Sequence, residues 1–85
     1  MIVRNRKQRN YRGEIEDITE IIMVIRQYRN ASEVHDVYEA FSKITIGNSG
    51  YTYDPTMRII SMHFTKRTDV SQLINRLMWL DEGSD

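Results

Sequence analysis

The sequence predicts an α+β fold: a small two-layer domain in the order α-α-β-β-(β)-α with a short antiparallel meander. Three observations lead there. Apolar residues recur at helical spacing in residues 14–29, 34–41 and 70–80, they alternate with polar ones in residues 57–65, and Gly, Asn and Pro cluster between these stretches. Eighty-five residues with 40% hydrophobic and 28% charged side chains suit one globular domain with one modest core. Such a domain is marginal alone, and without cysteine no disulfide reinforces it, so a homodimer is expected to supply further apolar burial.

Residues 1–13 read as a basic N-terminal arm. Met-Ile-Val suits a short strand, but Asn5, Asn10 and Gly13 interrupt any regular pattern. In residues 14–29, Ile15, Ile18, Ile21, Ile22, Ile25 and Tyr28 fall within an arc of about 140° on a helical wheel. Glu14, Glu16 and Asp17 at one end, with Arg26 and Arg29 at the other, match a helix dipole. The β-branched run Ile-Ile-Met-Val-Ile also suits a buried strand, which makes βαββα the runner-up order.

Asn30-Ala-Ser-Glu breaks the chain and starts a second helix, with Asn30 and Glu33 at capping-box spacing and Ser32 as the alternative cap. It runs to about Ser42 with Val34, Val37, Tyr38 and Phe41 as its stripe. Ile44-Thr45-Ile46 and Tyr51-Thr52-Tyr53 alternate around Gly47-Asn48-Ser49-Gly50, a hairpin turn. Asp54-Pro55-Thr56 signals another turn before the strongest strand, in residues 57–65. Thr68 or Asp69 caps a last helix reaching about Leu80, with Val70, Leu73, Ile74, Leu77 and Leu80 as its stripe. The domain thus covers residues 14–82, and residues 83–85 form a short tail.

From Tyr38 onward the element order is similar to that of double-stranded-RNA-binding domains. Thr68-Asp69-Val70-Ser71 stands where those domains carry a basic stretch at the start of the last helix, and no motif assigns a family.

A formal charge of zero hides a strong asymmetry. Residues 1–13 hold Arg4, Arg6, Lys7, Arg9 and Arg12 and no acid, whereas the remaining chain carries all twelve acids against seven bases. Arginines interleaved with Tyr11 and amides suit bidentate phosphate contacts and base stacking. Arg58, Lys66 and Arg67 flank the strongest strand and are expected to extend the footprint, with Tyr51, Tyr53 and His63 as a stacking surface if they share an outward face. No helix presents a basic recognition face, so RNA fits better than duplex DNA.

Catalytic signatures are weak. His35 and His63 are the only imidazoles and neither sits in a nucleophile motif. His35 and Glu39 at helical spacing give two metal contacts where a zinc site needs three or four ligands. No Walker or Rossmann fingerprint is present. No cofactor, no metal and no enzymatic activity are therefore expected. Trp79 lies opposite the stripe of the last helix beside Arg76, and Val24 is similarly displaced on the first, which marks Trp79, Arg76 and Val24 as a partner or dimer interface.

The leading expectation is thus a small cytoplasmic RNA- or nucleic-acid-binding accessory protein, with no export signal and no membrane span. The alternative is a protein-interaction module: an inhibitor, antitoxin-like or regulatory factor, in one version virus-encoded and acting on a host ribonuclease.

Overall fold

The computed structural model describes residues 1–26, 30–44, 47–65 and 70–81. They form β1 (Ile2–Arg9), β2 (Ile15–Val24), α1 (Asn30–Ser42), β3 (Ser49–Asp54), β4 (Ile59–Thr65) and α2 (Ser71–Leu77). All strands join one antiparallel sheet in the order β1-β2-β4-β3. The order β-β-α-β-β-α overturns the expected α-α-β-β-(β)-α, and the runner-up βαββα lacked β1.

Two changes account for the difference. The basic stretch is not an arm but an eight-residue edge strand paired with β2 from Ile2↔Ile22 to Arg9↔Ile15. The segment expected as the first helix is β2. Its helical stripe was real as a pattern, but the β-branched residues in it are stiff at χ1 and pack well on a pleated surface. Its acids find partners on β1 and in the turn that follows it instead of a helix dipole: Lys7 pairs with Asp17 at 3.0 Å, and the Asn10 amide donates to Glu16.

The turn joining β1 and β2 is built by the residues that had looked like interruptions. The Asn10 side-chain oxygen accepts from the N–H groups of Arg12 and Glu14, an Asx turn, and Gly13 takes φ 80°. That backbone conformation suits glycine.

Side chains alternate along each strand, so the sheet has two distinct faces. Ile21, Met23 and Ile25 from β2 and its continuation meet Ile60, Met62 and Phe64 from β4 on one face. Val34 and Phe41 of α1 and Leu73 and Leu77 of α2 close that core. Burial of each such side chain stabilises by roughly 1.5–3 kcal/mol. Tyr51 and Tyr53 also point to this helical side, where Tyr38 stacks on Tyr51 at 5.1 Å between centroids and His35 meets it edge-on. Burial, then the neighbouring Tyr53, pushes the Tyr51 phenol above its ordinary value.

The expected last helix is shorter than its apolar stripe. After Leu77 the chain turns, and Asp81 bridges to Ile25 while the Leu80 carbonyl accepts from the Arg26 N–H. Asp81 is buried and ion-pairs with the α-amino group of Met1 at 2.6 Å, and its carbonyl accepts from Arg26 Nε. Gly47-Asn48 leads into β3, where Thr65 donates both its N–H and its hydroxyl to the Asn48 carbonyl. Thr45 and Ile46 lie outside the described residues, so the strand expected there is not placed. Asp54-Pro55-Thr56 is a turn as expected, with Asp54 accepting from the N–H groups of Thr56 and Met57. Among the described residues no helix is long and apolar enough to cross a membrane.

Candidate docking face

Both helices lie on one face of the sheet, and the opposite face holds the groups of most interest. Antiparallel partners share a face, so the register assigns its rows directly. The first row is Arg6, Ile18 and Thr65; the second is Arg4, Glu20, His63 and Gly50. The third is Ile2, Ile22, Ser61 and Thr52, and the fourth Val24, Ile59 and Asp54.

At the centre, Glu20 is 8% exposed and holds two guanidinium groups. Arg4 contacts Oε1 through both Nε and Nη2 at 2.5 Å, and Arg6 Nε donates to Oε2 at 3.2 Å. Burial alone pushes the Glu20 carboxyl up, but the hydrogen bonds and charges of Arg4 and then Arg6 outweigh it and hold it below its ordinary range. Beside Glu20, the His63 ring lies over Gly50, where a Cβ would sit 2.2 Å from the ring. Glycine there makes the space for the imidazole.

In the third and fourth rows the positions on β1 and β2, with Ile59 of β4, are aliphatic, while Ser61, Thr52 and Asp54 on β4 and β3 are polar. Ile22, Val24 and Ile59 are half-buried, and Ile2 is 57% exposed. An ordinary solvated sheet face reads polar at alternate positions. On β2 this face reads Glu16, Ile18, Glu20, Ile22, Val24, three aliphatic residues of five, with Ile22 and Val24 adjacent at the end away from the hairpin tip.

The residues singled out from sequence are dispersed. Arg4 and Arg6 are tied to Glu20, and Lys7 to Asp17. Arg9 donates to the Gly13 carbonyl, and Arg12 lies 5.4 Å over the Tyr11 ring. Arg9 and Arg12 have no carboxylate in ion-pair contact among the described residues, and Tyr11 is 82% exposed at the hairpin tip. A cleft of about 410 Å³ below that tip sets Glu14, Glu16 and Asp17 against Arg12. Within the hairpin, five bases therefore face four acids (Glu14, Glu16, Asp17 and Glu20), a net charge of +1.

Arg58 sits at the other end of β2 from the tip, in the turn before β4 at φ 57°, and donates to the Arg26 carbonyl. It does not join the hairpin cations. Lys66 and Arg67 lie outside the described residues. Tyr51 and Tyr53 face the helices while His63 faces away, so the three do not form one stacking surface.

Trp79 is 83% exposed in the turn after α2, and Arg76 is exposed on α2. Val24 is on the helix-free face rather than on a helix, so it does not share the helical layer of Trp79 and Arg76. His35 contacts Glu39 at 3.1 Å on α1, an i,i+4 surface pair. Sequence reasoning missed Glu20, Ile2, Ile22 and Ile59. The signal was present in the two-residue alternation of Arg4 and Arg6 and of Ile18, Glu20 and Ile22, once both segments are taken as strands.

Comparison of the chain with protein-family models, with curated proteins and with solved structures finds no match.

Proposed function

We propose that this chain is a non-catalytic protein-interaction module of the cytoplasm that docks a protein partner on the helix-free face of its sheet, as an inhibitor or regulatory factor does. The observation that carries this reading is the apolar character of the last four residues of β2, Ile21 to Val24, on both faces while the helices cover one. A strand apolar on both sides is the pattern of a sheet covered on both sides. The complementary surface offers aliphatic side chains opposite Ile2, Ile22, Val24 and Ile59, and an acidic group opposite the remaining donors of Arg4 and Arg6. The neutralised hairpin also favours this reading over the polyelectrolyte one, because paired cations release few counterions.

Site-specific photo-crosslinking in the source cell tests it. A benzoylphenylalanine at position 24 or 59 is expected to give an adduct with another polypeptide, and one at position 36 on α1 none. Adducts from position 79 alone would move the docking site to Trp79, and no adduct from 24 or 59 would remove the proposal.

One observation favours a second reading. Arg9, Tyr11 and Arg12 form an exposed cationic and aromatic tip suited to contacting a phosphate and stacking on an unpaired base. In that case Tyr11→Ala with Arg12→Ala removes RNA binding, and Arg58→Ala, far from the tip, leaves it unchanged.

A further inference from the structure

The sheet has two open edges, β1 and β3, each with a row of backbone groups that pair with nothing on their outer side among the described residues. They differ in what they permit. We propose that β3 is the edge through which two copies of this chain associate. The two β3 strands run antiparallel with the dyad at Thr52, which makes one eight-stranded sheet.

Antiparallel self-pairing about an axis normal to the sheet joins residues of the same face, so even numbers meet even and odd meet odd. On β1, a register centred on Asn5 sets Arg4 of one copy against Arg6 of the other. Registers centred on Arg4, Arg6 or Lys7 set each of these cations against itself. Like charges directly opposite are destabilising. The β1 edge is therefore guarded against its own copy.

β3 has no such guard. Ser49–Asp54 contains no Lys, Arg or Pro, and its register with β4 runs unbroken from Ser49↔Phe64 to Asp54↔Ile59, so no bulge twists the edge away. A register centred on Thr52 sets Thr52 against Thr52, Tyr51 against Tyr53 twice, and Gly50 against Asp54 twice. Thr–Thr and aromatic pairs are among the favourable cross-strand combinations.

A second observation lies on the same strand. The Tyr53 hydroxyl is buried without a hydrogen-bond partner among the described residues. Buried polar groups normally find one. In the proposed register the other copy's Tyr51 lies opposite Tyr53 and its Ser49 diagonal to it, so two further hydroxyls come alongside. With β1 guarded and β3 open, association closes at the dimer, because an isologous contact uses up the only permissive edge.

Sedimentation equilibrium of the full chain over a wide concentration range tests this, together with isotope-filtered NOE spectra of a mixed labelled and unlabelled sample. Expected are a monomer–dimer equilibrium with no larger species and intermolecular contacts between Tyr51 and Tyr53. Thr52 is exposed, so Thr52→Lys keeps the fold, checked by its melting curve, and is expected to weaken association by about tenfold or more. Thr52→Val retains the dimer, and Val24→Glu on the helix-free face leaves it unchanged. A wild-type chain that stays monomeric to about millimolar concentration overturns the proposal, as does a Thr52→Lys dimer as tight as wild type. A dimer lost in Val24→Glu but kept in Thr52→Lys places the contact on the sheet face and equally overturns it.

Discussion

Glu20 is the residue on which the basic stretch turns from an arm into a strand. Its carboxyl is held below the ordinary 4.5, so the stabilisation it contributes is fully present above that pH and is lost as pH falls through the lower folded-state value. Arg4 and Arg6 are more than a third exposed, which limits the contribution to about 1 kcal/mol. Glu20→Gln is therefore expected to melt earlier than wild type at pH 7, with the deficit closing as the buffer is taken below pH 4.5. A deficit that persists unchanged at pH 2 would show that the carboxylate charge is not what matters. Asp81 makes a larger claim, because it and the Met1 amine are both buried. Asp81→Ala leaves the other charge behind and is expected to cost about 3 kcal/mol or more, a drop in melting temperature of at least about 12 °C. A change of a degree or two would mean that the ammonium reaches water. Neither role was legible in the sequence. A lone Glu in an apolar run and an Asp beside an acidic tail carry no local mark of the cations that sit across the sheet from them.

At the scale of elements, legibility followed locality. α1 stood out through Asn30-Ala-Ser-Glu and a stripe from Val34 to Phe41, because caps and i,i+4 contacts are encoded nearby. β4 stood out through strict alternation between Ile59 and Thr65. β2 misled because a run of isoleucines satisfies a helical stripe and a two-sided strand at once, and the tie is broken only by a partner strand some sixteen residues away, as in Arg4↔Glu20. The hairpin itself was signalled by Asn10 and Gly13, whose turn chemistry is specific but was overlooked amid the charge. Gly13→Ala, at φ 80°, is expected to destabilise by about 1 kcal/mol through backbone strain. Deleting residues 2–9 is a stronger test of the same element. Loss of a paired strand should abolish cooperative thermal unfolding, whereas a disordered arm could be removed with the melting curve intact.

Over the whole molecule, folding redistributes charge. The sequence sets five cations in the first thirteen residues against an acidic remainder, yet antiparallel pairing brings four of those acids into the same hairpin, two of them, Asp17 and Glu20, in ion pairs with its cations, and leaves the hairpin at +1. The charge asymmetry that suggested nucleic-acid binding is thus largely spent inside the hairpin, and two cations without a carboxylate partner remain at its tip. What was legible of the candidate site was Val24 as a displaced apolar residue; its face needed the register, since Ile2, Ile22 and Ile59 gather around it only across three strands. Fluorescence anisotropy of a single-stranded RNA across a salt series measures how many cations are available. If Arg9 and Arg12 alone are available, binding is weak and log K falls with log salt at a slope of about −1.4 or shallower. A slope near −3.5, the value for five phosphate contacts, that persists when Arg58, Lys66 and Arg67 are all replaced by Ala would mean that Arg4, Arg6 and Lys7 leave Glu20 and Asp17 for nucleic acid, and would contradict the paired hairpin and the docking face built on it.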